Sequence, residues 1–174
     1  MTVPVSTSHL IAILQDARSR TRELVDDLDE RQLLGPKLPT LNPLRWEIGH
    51  VAHFYEYFIL RRIYGRESIL GDLADQLYDS IAVSHETRWD LPLLSTPQTN
   101  QYLVDVLDAL IEQLGEAQTA SVADSFMYQF GVFHEDMHTE AFLWARQTLA
   151  YPTPKLAIAA DIENGAGAGA HPGA

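Results

Sequence analysis

Apolar residues recur at three- and four-residue steps in four separate stretches of this 174-residue chain, and no stretch alternates with the period of two that a strand needs. The first runs from about Ser8 to Leu33, with Leu10, Leu14, Ala17, Thr21, Leu24 and Leu28 on one stripe and charged residues opposite. The proline-rich segment GPKLPTLNP breaks it. The second opens at Asn42 as N-cap with Pro43 in the first turn, and runs to about Tyr64, before Gly65. Trp46, His50, His53, Phe54, Tyr57 and Arg61 share its inner arc. The third opens at Thr96-Pro97 and reaches about Ala117, with Tyr102, Val106, Ala109, Ile111 and Leu114 inward. The fourth opens near Ser121, with Asp124 as the acid of its first turn, and continues to about Ala150. Between the second and third lies Arg66 to Ser95, a connection long enough to be functional, with room for a short helix over LADQLYDSIA. The pattern predicts an all-α protein, a four-helix bundle with a long crossover between helices 2 and 3. Residues 1–154 form one domain on this reading, and 155–174, which include ENGAGAGAHPGA, form a flexible Gly/Ala-rich tail or interdomain linker.

The chain has no cysteine, so disulfides, thiolate metal sites and cysteine nucleophiles are all excluded. Any metal must sit on nitrogen and oxygen, which favours Fe(II), Zn, Ni or Mn. The formal net charge of −12 argues against nucleic acid as a partner. No apolar run approaches the ~20 residues of a membrane span, and the N-terminus carries no basic signal region, so a cytoplasmic protein is expected.

His134 and His138 stand four residues apart on the fourth helix, on one face. They interrupt a stripe of Met127, Phe130, Met137, Ala141 and Ala145, which points them inward. His50 interrupts a comparable stripe on the second helix. Neutral imidazoles facing each other across a core are costly unless something accepts from them, and one metal ion satisfies all three. The alternative is that each imidazole bonds a backbone carbonyl or a nearby acid. His53, one turn further along, competes with His50 as third ligand. His9, near a terminus, His85, and His171, in the tail, have weaker claims. The string His134-Glu135-Asp136-Met137-His138 also fits H-E-x-x-H, the zinc-protease pattern, but no GxxH follows and no strand is present to bind a peptide.

At these residues the chain resembles a known family. Asn42-Pro43-Leu44-Arg45-Trp46-Glu47-Ile48-Gly49-His50 is similar to the P-x-x-W-x-x-G-H segment of the DinB-like N-terminal domain of ergothioneine-type sulfoxide synthases, and Phe54 and Glu56 continue it. His134 to His138 resembles the H-E-x-x-H segment of that domain. Tyr78-Asp79-Ser80 and His85-Glu86-Thr87-Arg88-Trp89-Asp90-Leu91-Pro92 resemble its long crossover, particularly in relatives linked to selenoneine. The resemblance extends up to Pro154.

It implies a non-haem Fe(II) on His50, His134 and His138, the trio that helical geometry also selects. The implied reaction uses O2 to join the sulfur or selenium of a thiol or selenol donor to the imidazole of hercynine, a trimethylated betaine. Arg88 is implied as the partner of a substrate carboxylate, the alternative being an ordinary surface ion pair. Trp46 and Trp89 are candidate pocket walls. Met137 stands where relatives commonly place a glutamine that touches the hercynine ring, a departure from the pattern. Full-length synthases continue into a second domain, similar to the formylglycine-generating enzyme, which this chain lacks. Two other functions remain open: a stand-alone DinB-like thiol transferase using Zn or Ni, and a non-catalytic binding module stabilised by its metal.

Overall fold

Six α-helices account for the regular structure of the computed structural model, which describes residues 4–115 and 119–157. They are α1 (Thr7–Val25), α2 (Glu30–Leu34), α3 (Leu44–Tyr55), α4 (Leu73–Tyr78), α5 (Thr96–Leu114) and α6 (Val122–Thr148). Among the described residues there is no strand, only an isolated bridge between Ser6 and Thr119. The four long helices α1, α3, α5 and α6 form the bundle, with α1 packed along α6 and α3 lying against both α5 and α6. No helix among the described residues is long and apolar enough to cross a membrane.

The predicted stripe of α1 is the core: Leu10, Leu14, Ala17, Thr21, Leu24 and Leu28 are all buried. The helix is not continuous to Leu33, however. It ends at Val25, and Asp29 starts α2 with a capping box, its carboxylate accepting from Gln32 N–H (2.8 Å) while the Gln32 side chain accepts from Asp29 N–H (2.9 Å). Ser121 caps α6, its hydroxyl accepting from Asp124 N–H at 3.0 Å.

Helix α3 starts one residue later than expected, with Pro43 in the cap position. After Tyr55 it widens into a π-helical turn, Glu56–Arg61, which no residue pattern announced. Glu56 lies fully buried at that turn, accepting from the Tyr102 hydroxyl and from Ile69 N–H. The inward face of α5 includes Leu103 and Leu110, while Ala109 and Ile111, expected inward, are only partly buried. Within the crossover, α4 covers the first part of LADQLYDSIA and ends at Tyr78.

The inward face of α6 departs most from expectation. Phe130 and Met137 are 45 % and 55 % exposed, and the buried positions are Ser125, Tyr128, Gly131, Val132, Glu135, His138, Phe142, Ala145 and Arg146. The hydrophobic stripe therefore lies to one side of the helix's buried face. Two ion pairs hold that face, the first of them buried on both sides. Glu135 accepts from Arg18 Nε (2.9 Å) and Thr21 (2.8 Å), and Arg146 pairs with Asp27 (2.7 Å) while also donating to the Leu24 carbonyl (2.8 Å). Beyond α6, Leu156 packs against the core and Ala157 N–H donates to Glu23. The remaining tail residues, including His171, lie outside the described residues.

Candidate metal centre

Helix α3 packs closely on α6 and on α4 because a glycine meets a tyrosine ring at each contact. A Cβ on Gly131 of α6 would stand 2.4 Å from Cε1 of Tyr55 on α3, and one on Gly49 would stand 2.2 Å from Cε1 of Tyr78 in α4. The close approach brings His50, His134 and His138 together. One nitrogen from each lies within 4.8 Å of the others, and the three ring centroids are 4.7–5.2 Å apart. Nitrogens ligating one ion at about 2.1 Å stand roughly 3–4 Å from each other, so a small closure of the rings suffices.

Each ring is fixed by its surroundings. His50 Nδ1 donates to the Tyr78 carbonyl at 2.8 Å, leaving Nε2 as the basic nitrogen, and its ring stacks on Trp46 (4.9 Å, 8°). His138 Nδ1 donates to Glu47 Oε2 at 3.2 Å, and its buried Nε2 has no hydrogen-bond partner. His134 stacks face to face on Phe54 (3.7 Å, 13°), and its Nδ1 is also buried without a partner. Bare nitrogens in a buried site are costly. Two of them, with a nitrogen of His50 within 4.8 Å, fit a divalent cation, and the donor set fits a borderline metal such as Fe(II), Zn or Ni.

Burial holds two of these rings, those of His50 and His134, neutral. It lowers the pKa of His50 to about 4, against the donation to Tyr78, and lowers His134 to about 2 with help from the neighbouring His138 and His50. The sign of the linked stability follows. Both pKa values lie below the unfolded value near 6.5, so the unfolded chain binds more protons in the window beneath it. The metal-free bundle is expected to be most stable above pH ~6.5 and to lose up to about 1.4 kcal/mol per pH unit for each of the two imidazoles as pH falls toward 4–5. Urea unfolding of chelator-treated protein at pH 7.5, 6.5 and 5.5 checks this. A stability independent of pH over that range would contradict neutral, buried rings.

The remaining histidines are engaged elsewhere. His53 Nε2 bonds Asp75 at 2.8 Å, and Arg61 grips the same carboxylate with both terminal nitrogens (2.6 and 2.9 Å). This corrects its candidacy as a ligand: His53 is tied to α4 and does not join the cluster. His85 bonds the Leu41 carbonyl at 2.6 Å, and His9 is exposed. Glu135 faces the bundle interior, held by Arg18 and Thr21, which is no place for the general base of a zinc protease.

Two of the trio border a cavity of about 220 Å³ lined by His50, His53, Phe54, Tyr57, Phe58, Asp79, Ser80, Ile81 and His134. Phe58 and Ile81 were not singled out from the sequence. They reach the cavity because the π-helical turn and the end of α4 place them there. The three residues expected to meet substrate are not among its lining. Arg88 is 9 % exposed, so it makes no surface ion pair. It donates to Asn42 Oδ1 (2.7 Å) and the Val83 carbonyl (3.2 Å), and its guanidinium lies 3.7 Å over the Trp46 ring. Trp89 stands edge-on to His85 at 5.2 Å, and Met137 is on the outer face of α6.

Comparison with known proteins agrees with this architecture. Residues 13–142 match the DinB superfamily. The chain is 33 % identical over 141 residues to a hercynine oxygenase of Mycobacterium tuberculosis, covering 80 % of this chain and 32 % of that protein. It is 34 % identical over 133 residues to a hercynine oxygenase of Mycolicibacterium thermoresistibile, covering 76 % of this chain and 29 % of that protein. The chain thus spans about a third of the length of these relatives. With most of its residues matched by one family and its helices arranged as an all-α bundle, the chain belongs to the DinB superfamily.

Proposed function

We propose that this chain is the metal-binding domain of an O2-dependent enzyme that joins sulfur or selenium to the imidazole of hercynine, with Fe(II) on His50, His134 and His138. The observation that carries the reading is the meeting of three imidazoles, two with bare buried nitrogens, at the edge of an aromatic-walled cavity. The printed name of the relatives supplies the substrate, and the histidine-only donor set suits the metal. Bound there, Fe(II) would supply the O2 chemistry and leave coordination positions for substrate atoms. The chain's own part is positional. Tyr78 and Glu47 fix the orientation of two ligands, Phe54 holds the third, and Phe54, Phe58 and Tyr57 wall the cavity against water.

Since the relatives are about three times as long, the proposal gives this chain the metal and one wall of the substrate site. The other wall belongs to a second domain like the formylglycine-generating enzyme. Protein purified without oxygen should carry or take up one Fe(II) per chain. Supplied with hercynine, O2 and thiol or selenosugar donors, the isolated chain should turn over poorly. Full activity from this chain alone would contradict the division of labour, and failure to bind Fe(II) would contradict the reading itself.

One observation favours a second reading. Met137, where relatives commonly place a glutamine, cannot donate a hydrogen bond to hercynine, and it faces outward. A zinc- or nickel-dependent thiol transferase would use the same imidazoles to lower a thiol's pKa. Tight zinc with thiol conjugation and no O2 uptake would decide for it.

A further inference from the structure

One buried guanidinium of the crossover, that of Arg88, is linked to two of the three ligands. From Arg88 one arm runs by hydrogen bonds: Nη1 donates to Asn42 Oδ1 (2.7 Å), Asn42 Nδ2 donates to Glu47 Oε1 (2.8 Å), and the other Glu47 oxygen accepts from His138 Nδ1 (3.2 Å). The second arm runs by stacking: the Arg88 guanidinium lies 3.7 Å from the centre of the Trp46 ring, which is stacked in turn on His50. Trp46 is itself anchored by donating its indole N–H to the Leu77 carbonyl at 2.6 Å. Every member except Asn42 is at most 9 % exposed.

We propose that Arg88 and Glu47 are positioning residues that set two of the three ligand rings from one point, Glu47 acting on His138 and Arg88 acting through Trp46 on His50. The inference rests on the three-histidine metal reading. A carboxylate accepting from Nδ1–H fixes the His138 tautomer with Nε2 bare and makes that nitrogen a stronger donor to a metal. A carboxylate buried to 5 % exposure needs a compensating charge, and the Arg88 guanidinium supplies it through Asn42. The planar group matters, since it must stack on one ring while donating in its own plane to Asn42 and to the Val83 carbonyl. Lysine keeps the charge but cannot do both. This role accounts for the burial of Arg88 and for its absence from the cavity lining, neither of which a substrate-carboxylate partner explains.

The test has a metal-free arm and a metal arm, both on the full chain. In the metal-free protein, long-range ¹H–¹⁵N correlation spectra should find His138 as the Nδ1–H tautomer, and Glu47→Gln should relax it toward a mixture. A wild-type His138 carrying its proton on Nε2 would overturn the proposal whatever the metal does. In the metal arm, Co(II) is titrated against a chromophoric chelator. Glu47→Gln should weaken Co(II) roughly 10- to 100-fold and shift its visible ligand-field bands. Arg88→Lys should do the same to a lesser degree, and Glu47→Asp should restore part of the loss. Wild-type affinity and bands in both Glu47→Gln and Arg88→Lys would refute the positioning role. If wild-type protein binds no Co(II), the metal reading fails instead, and the tautomer measurement still judges Glu47.

Discussion

Replacing His138 with alanine is expected to abolish stoichiometric Fe(II) or Zn(II) binding, while His9→Ala leaves it unchanged. The contrast follows from position. His138 is buried, held on Nδ1 by Glu47, and offers a bare Nε2 to the point where His50 and His134 converge. His9 is exposed on the first turn of α1. Two imidazoles left on a mobile closure bind a divalent ion far more weakly than three preset ones, so the loss should exceed 100-fold, about 3 kcal/mol or more. His138→Ala also takes the Nδ1–H partner from the buried Glu47 carboxylate, so the apo fold should lose about 1–3 kcal/mol. Equilibrium dialysis with metal analysis, beside urea unfolding of the same metal-free samples, reads both quantities. Equal metal content in the two variants would sink the ligand assignment.

Gly49→Ala is expected to destabilise the bundle by about 2 kcal/mol or more, against the sign that helix propensity gives. An alanine in a helix interior normally gains about 1 kcal/mol over glycine. Here the added methyl would sit 2.2 and 2.3 Å from Cε1 and Cζ of Tyr78, a ring with no exposure that stacks on Tyr102 at 6.2 Å. The ring has no free space to yield into, so α4 must move. Moving α4 shifts the Tyr78 carbonyl from His50 Nδ1, which links the packing loss to metal affinity. Pairing Gly49→Ala with Tyr78→Leu tests the cause. The smaller side chain should recover at least 1 kcal/mol in a double-mutant cycle, and additive losses would show that Tyr78 is not the obstacle.

The bundle and the ligand trio were legible for different reasons. The α1 stripe is apolar on its core side and charged on the other, so period alone finds it. In α6 the buried face is carried by Ser125, Gly131, Glu135 and Arg146, whose small size or charge hides burial from a hydrophobic pattern. Phe130 and Met137 drew the apparent stripe outward, and His134 and His138 were found because they lie at the border of both faces. The break after Val25 was written in Asp29 and Gln32, but the apolar run through Leu28 and Leu33 masked it. The groups that orient the ligands were harder to foresee. A backbone carbonyl such as that of Tyr78 has no residue signature, and Glu47 meets His138 only across 91 positions of sequence. The resemblance gave Arg88 a substrate role, with a surface ion pair as the alternative; its stacking on Trp46 depends on a packing that period cannot express.

The wide turn at Glu56–Arg61 ends the helical run that begins at Leu44, and the chain then turns through Tyr64 into the crossover. One residue of a helix amounts to about 100° of rotation, so tightening that turn by a single deletion would swing Tyr64 and Arg66 away from their partners on α6 and α5. The ligand-bearing helix upstream would keep its heading. A change of length at that turn would therefore re-aim the start of the crossover without disturbing the metal-facing end.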